Sequence, residues 1–179
     1  EEDHAYAMEN IMQRVADAMV AEGTPFSGVL YGGLMKTPQG IKVIEFNARF
    51  GDPETEVVLP RLMSDAVDVF TAVAENNAPE TEWSKEATLG IVLASKGYPG
   101  DYAKGFAIRG TERVESKLYH MGTAMKDGEL VTNGGRVMFV VASASTLREA
   151  QQKAAAEVAK IKCDNLFHRN DIGDKAFKF

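Results

Sequence analysis

Apolar residues in the first part of the chain recur at a helical period. Met8, Ile11, Met12, Val15, Ala18 and Met19 lie three and four apart. They predict an amphipathic helix over residues 4–22, stopped by Gly23. The pattern then changes. Residues 27–35 are rich in Val, Leu and Tyr and are loosened by Gly32 and Gly33, and a second such run covers 41–50. Thr37-Pro38-Gln39-Gly40 separates them with turn chemistry, which predicts a β-hairpin. Helical spacing returns over 57–63 and 66–74, and residues 76–85, with Pro79 and several acids, read as a linker.

A second pattern begins at the strongly apolar residues 89–94. The loop Lys96-Gly97-Tyr98-Pro99-Gly100 follows; it lacks the spacing of a P-loop and reads as a turn, with a phosphate cradle as the alternative. Residues 117–125 and 129–132 flank Lys126-Asp127-Gly128, and Asn133-Gly134-Gly135 predicts a hairpin turn into 136–142. Thr146 and Glu149 form a capping box, and Leu147, Ala150, Ala154, Val158 and Ile161 stripe the helix behind it. Hairpin strands followed by a long helix indicate an α+β fold with antiparallel sheet, divided into residues 1–82 and 83–179.

Composition narrows the function classes. The net charge of −6 without a Lys/Arg block argues against nucleic-acid and anionic-membrane binding, while local arginines can still hold a small anionic substrate. No apolar run approaches the roughly 18–20 residues of a membrane span. Cys163 is the single cysteine, so disulfide and cysteine–metal frameworks are excluded and a reducing, cytoplasmic setting is expected. His4, His120 and His168 are scattered and read as surface or packing residues. The chain opens on Glu1-Glu2-Asp3 directly into a helix, as expected of a piece of a longer protein.

The candidate chemistry lies in the run Glu45-Phe46-Asn47-Ala48-Arg49-Phe50-Gly51-Asp52-Pro53-Glu54. Alternation on a strand sends Ile44, Phe46, Ala48 and Phe50 toward a core and Glu45, Asn47 and Arg49 to the other face, with neighbours roughly 6.5–7 Å apart. A carboxylate and an amide oxygen so arranged suit one hard cation such as Mg²⁺, and a guanidinium beside them suits a phosphate or carboxylate. The same row is also what a solvent-facing strand surface looks like. Asp52, Glu54 and Glu56 follow at once, as acids do at a helix start.

Residues 49–56, Arg-Phe-Gly-Asp-Pro-Glu-Thr-Glu, resemble the signature of the glycinamide ribonucleotide synthetase family. So do Gly28-Val29-Leu30-Tyr31 with Gly33-Leu34-Met35, Gly97-Tyr98-Pro99-Gly100 with Lys104-Gly105, Gly134-Gly135-Arg136-Val137, and Arg169 with Asp171-Ile172-Gly173, in that order. The resemblance implies the C-terminal half of an ATP-grasp domain followed by a small antiparallel α+β domain. It implies a ligase joining glycine to 5-phosphoribosylamine, with ATP as co-substrate and a glycyl phosphate on the route, in de novo purine biosynthesis. Glu45 and Asn47 match the family's Mg²⁺ or Mn²⁺ ligands. Arg49 is assigned to the transferring phosphate or the acyl phosphate, by its place in the row and by similarity to other ATP-grasp enzymes, and Asp52 and Glu54 are candidates to hold glycine's ammonium, to orient the incoming amine, or to form salt bridges. Gly32-Gly33-Leu34-Met35 offers no further acid, so a two-metal site is not expected. The N-terminal remainder of the same enzyme is the expected partner, and the piece alone is expected to be inactive. Rival readings are an ATP-grasp ligase with another substrate pair and a non-catalytic module of the same fold.

Overall fold

A computed structural model describes residues 2–178. The chain divides into two compact units, Glu1–Thr55 with Leu62–Glu82, and Glu56–Arg61 with Trp83–Phe179.

The first unit opens on a helical run in three pieces: α1 (Glu2–Ala7), a π turn (Met8–Met12) and α2 (Gln13–Ala21). Ile11, Met12, Val15 and Met19 form its half-buried stripe, whereas Met8 is 49% exposed. The π turn takes in an extra residue and so rotates what precedes it off the stripe. Gly23, with φ of +75°, closes the run. Its N–H bonds Val20 O at 3.0 Å and the Thr24 N–H reaches Met19 O at 2.9 Å, a paired closure that a left-handed residue permits.

β1 (Tyr31–Thr37) and β2 (Gly40–Asn47) form the expected antiparallel hairpin. Both strands are shorter than the apolar runs: β1 starts at Tyr31 and β2 ends at Asn47, because Tyr31 opposite Asn47 is the outermost pair. A strand extends only as far as its backbone groups find partners. The ladder also carries a bulge. Leu34 faces Val43 but Gly33 faces Glu45, leaving Ile44 as the extra residue. The bulge resets alternation, so Ile41, Val43 and Phe46 share one face and Glu45 and Asn47 the other.

This corrects the expected core face. Ile44 is 62% exposed and Phe46 38% exposed, and Ala48 is exposed beyond the end of the strand. Phe50 does pack, edge-on to Phe70 with centroids 6.2 Å apart. After α3 (Thr55–Val58), Phe70 is carried by α4 (Ala66–Ala74). Asp65 caps α4 by accepting from the N–H groups of Val67 and Asp68 at 2.7 and 3.3 Å.

The second unit contains β3 (Ala87–Ser95), β4 (Lys117–His120), β5 (Thr123–Lys126), β6 (Glu129–Thr132), β7 (Arg136–Ala144), α5 (Leu147–Val158) and β8 (Leu166–Phe167). Its antiparallel sheet has the order β4-β7-β3-β8, and β5 and β6 form a separate hairpin. α5 covers one sheet face: Leu89, Ile91 and Leu93 of β3 and Met138, Val140 and Ala142 of β7 pack with Ala150, Ala154 and Val158. The opposite face carries Gly90 and Val92 beside Val141 and Phe139. Residues 137–142 are buried throughout, which is why that stretch reads as a continuous apolar run rather than an alternating one.

Two sequence expectations change here. Residues 117–125 are two strands in two sheets, broken at Met121-Gly122. Asn133-Gly134-Gly135 links β6 to β7, which are not paired, so it is a sheet-to-sheet connection and not a hairpin turn. Close packing needs glycines there: a Cβ on Gly122 would stand 2.7 Å from Gly134 Cα, and one on Gly135 would stand 2.3 Å from the Tyr98 ring. Lys96–Gly100 is a turn, with the Tyr98 N–H on Ser95 O at 3.0 Å.

The capping box is complete: the Thr146 hydroxyl accepts from the Glu149 N–H at 3.2 Å and the Glu149 carboxylate from the Thr146 N–H at 3.1 Å. A hydrogen bond from the Ser145 hydroxyl, followed by the interactions with Thr146, lowers the Glu149 carboxyl from its ordinary value. Thr146→Ala is expected to cost about 1 kcal/mol. Chemical denaturation would show it as a lower midpoint at unchanged slope; an unchanged midpoint would remove the cap from the account of α5.

Candidate functional site

Glu45, Asn47, Arg49, Asp52 and Glu54 lie in the first unit, at the open end of the hairpin and in the loop behind it, whereas Glu56 falls in the second unit. Glu45 and Asn47 share a face of β2, and Asn47 Nδ2 donates to Glu45 Oε1 at 3.0 Å. The two side chains therefore act as one polar group. Room for them comes from the opposite strand: Gly33 faces Glu45, and a Cβ there would press on Glu45 Cγ at 3.1 Å. The pair presents hard oxygens on an accessible surface, which is the chemistry by which Mg²⁺ is held through one or two protein ligands. Among the described residues no three His, Cys, Asp or Glu side chains gather into a metal set, so any metal here would take few protein ligands.

Arg49 is not in the row. It lies two residues past the end of β2, exposed, in a bend. Its Nη1 donates to Phe50 O at 2.8 Å, so the guanidinium is turned toward its own backbone. The strand ends at Asn47 for want of a partner beyond Tyr31, and Arg49 is thereby on a loop from which its long side chain can swing.

The loop from Gly51 to Thr55 is closed by Thr55, whose N–H bonds Gly51 O at 3.0 Å and whose hydroxyl donates to the same oxygen. Asp52, before the cis Asp52–Pro53 bond, is exposed. Glu54 is folded back over Gly51: a Cβ on Gly51 would meet Glu54 Oε2 at 2.2 Å. Its other oxygen, Oε1, accepts from the Tyr31 hydroxyl at 3.3 Å.

Tyr31 was missed in the sequence. Counting back from the Thr37–Gly40 turn puts it opposite Phe46, on the apolar face; the Ile44 bulge moves it opposite Asn47. It then stands on the Glu45/Asn47 face with its hydroxyl on Glu54. Burial raises the Tyr31 phenol above its ordinary range, followed by the Glu54 charge, the bond to Glu54, and the Glu45 charge. Both carboxylates are thus felt at one phenol. The signal available in advance was a tyrosine at the far end of a hairpin strand, legible only with the bulge known.

Other candidates separate from this cluster. In the second unit His120 Nδ1 pairs with the Thr123 hydroxyl at 2.9 Å, and Arg169 grips Asp171 through two bonds of 2.8 and 2.6 Å. Both are local pairs. Cys163 is a half-buried free thiol.

The chain is similar to known proteins along most of its length. Residues 1–55 match the phosphoribosylglycinamide synthetase ATP-grasp (A) domain and residues 88–175 match the phosphoribosylglycinamide synthetase C domain. The phosphoribosylamine–glycine ligase of Halalkalibacterium halodurans is 54% identical over 172 residues, covering 95% of this chain and 40% of that protein. That of Caldanaerobacter subterraneus is 46% identical over 92% of this chain and 40% of its own length. The crystal structure of the Thermotoga maritima phosphoribosylamine–glycine ligase superposes with a TM-score of 0.85 at 32% identity, over 97% of this chain and 44% of that one. The chain thus spans about two fifths of the length of these relatives. With both family domains matched in order and the fold shared, the chain belongs to the phosphoribosylglycinamide synthetase family.

Proposed function

We propose that this chain is the C-terminal portion of an ATP-dependent ligase that joins glycine to 5-phosphoribosylamine, releasing ADP and phosphate, in purine biosynthesis. The observation that carries the reading is the Glu45–Asn47 pair, bonded at 3.0 Å on one hairpin face directly before a loop that holds a second carboxylate, Glu54. Phosphoryl transfer asks a protein for positioning and charge neutralisation more than for a covalent nucleophile. The residues here are of that kind. On this reading Glu45 and Asn47 hold a Mg²⁺ or Mn²⁺ ion, which supplies charge neutralisation to the phosphates of ATP when bound. Arg49, exposed on its loop, turns outward to the transferring phosphate or the glycyl phosphate. Asp52 and Glu54 are assigned to the ammonium of glycine and to the incoming amine.

The division of residues 1–82 and 83–179 between an ATP-grasp portion and a small C-terminal domain belongs to the same proposal, as does a cytoplasmic setting. Among the described residues no helix is long and apolar enough to cross a membrane. Because the relatives are more than twice as long, the activity is assigned to the full-length enzyme. The 179-residue chain alone is expected to release no ADP.

The test is glycine- and phosphoribosylamine-dependent ADP release by the full-length enzyme, run beside a panel of other amino acids and amines. Turnover confined to glycine and phosphoribosylamine is expected. Preference for another pair would overturn the substrate assignment while leaving the family intact, and ADP release by the isolated chain would overturn the assignment of activity to the whole.

A further inference from the structure

Three observations converge on Glu54. Its Oε1 accepts from the Tyr31 hydroxyl at 3.3 Å. Its Oε2 occupies the space that a side chain on Gly51 would fill, 2.2 Å from an ideal Cβ. Tyr31 itself is held by the hairpin ladder opposite Asn47 and so belongs to the Glu45/Asn47 face. A glutamate on a loop ordinarily samples many rotamers, and each rotamer-rich side chain ordered on binding weakens affinity. Here one oxygen is bonded to a strand-borne phenol and the other is seated over a bare Cα, so the carboxylate is oriented before any substrate arrives.

We propose that Tyr31 is a positioning residue: with the bare Cα of Gly51, its hydroxyl holds the Glu54 carboxylate beside the Glu45/Asn47 face, where Glu54 receives the ammonium group of the amino-acid substrate. The inference rests on the ligase reading above. Its chemistry follows from the two ends of an amino acid. The carboxylate end must approach the transferring phosphate, beside the cation that Glu45 and Asn47 would hold. The ammonium end, a bond or two away, needs an anion that is not itself committed to that cation. Glu54 meets that face through Tyr31, whose neutral hydroxyl is its side-chain donor among the described residues. A phenol suits the holding role because it donates one hydrogen bond without cancelling the carboxylate's charge, as a lysine or arginine would. Gly51 suits it because its φ lies outside the left-handed region, so an alanine there is compatible with the backbone and presses on Glu54, at Oε2 (2.2 Å), Cδ (2.9 Å) and Cβ (3.1 Å).

The experiment uses the full-length enzyme and its Tyr31→Phe, Gly51→Ala, Glu54→Gln and Tyr31→Phe/Glu54→Gln variants, with KM for glycine and for ATP and kcat measured on each. Removing the charged partner should raise the glycine KM about 10–100-fold in Glu54→Gln. Removing one support should raise it roughly 5–10-fold in Tyr31→Phe and Gly51→Ala. The ATP KM should stay within about twofold throughout, since the lost interaction is with glycine. The double variant should be no worse than Glu54→Gln alone, because the phenol acts only through that carboxylate. A merely structural tyrosine would instead shift the ATP KM and kcat as well, and its effect would add to that of Glu54→Gln; either result, or an unchanged glycine KM in Tyr31→Phe, overturns the role. If Tyr31→Phe is recovered unfolded, Gly51→Ala decides: a selective rise in glycine KM supports the inference and an unchanged value sinks it. Absence of glycine-dependent turnover in the unsubstituted enzyme would remove the ligase reading itself, an outcome distinct from failure of the Tyr31 role alone.

Discussion

Glu45→Ala in the full-length enzyme is expected to lower glycine-dependent turnover by at least about 10²–10³-fold, the loss usual when one preorganised charge is taken from a transfer site. The size follows from how the pair is built. Asn47 Nδ2 donates to Glu45 Oε1 at 3.0 Å, so truncating Glu45 removes a proposed ligand and also frees the amide that it orients. Gly33 opposite leaves no side chain that could take its place. Glu45→Gln keeps the shape and removes the charge, and is expected to lose nearly as much activity with the fold intact. A second readout is independent of turnover: Mn²⁺ titration followed by electron paramagnetic resonance should show weaker binding in both variants. Full activity in Glu45→Ala would remove the metal assignment, and unchanged Mn²⁺ affinity with lost activity would move Glu45 to a different role.

The largest stability effect is expected at Phe139, on the sheet face away from α5. Its ring, 3% exposed, lies across Gly90 of the neighbouring strand, where a Cβ would sit 2.2 Å from Cζ. The ring covers a strand position that has no side chain of its own. Phe139→Ala is therefore expected to cost about 3–5 kcal/mol, because nothing beneath can close the gap. For a unit of this size that is a fall in melting temperature of roughly 12–40 °C. Gly90→Ala alone is expected to destabilise by about 1–3 kcal/mol through overlap with the ring. The two changes together should recover part of the loss, since the new methyl enters the space the ring vacated. Calorimetry on the four proteins checks this. Simple addition of the two losses would show that ring and glycine do not share that space.

Much of the fold was legible because it rests on neighbours in sequence. The helix end at Gly23, the capping box of Thr146 and Glu149 and the buried stripe of α5 depend on residues one to five apart, and each is found where the pattern predicts it. The hairpin between residues 31 and 47 and its turn at Thr37–Gly40 are of the same kind. So is the shared face of Glu45 and Asn47, because a spacing of two survives wherever a strand forms.

What the sequence by itself determined, then, is most of the elements, the family motif and the shared face of Glu45 and Asn47. The tertiary structure decided where each strand stops and what faces it. β2 ends at Asn47, leaving Arg49 on a loop, because β1 offers no partner before Tyr31. Residues 117–125 split because β4 pairs with β7 while β5 pairs with β6. The bulge at Ile44 turns Tyr31 from the apolar face to the polar one and brings it to Glu54, 23 residues away. Periodicity reports which side of its own element a residue takes. Register, bulges and glycine-backed contacts are set by the energy of pairing two distant segments, and no single segment contains that information.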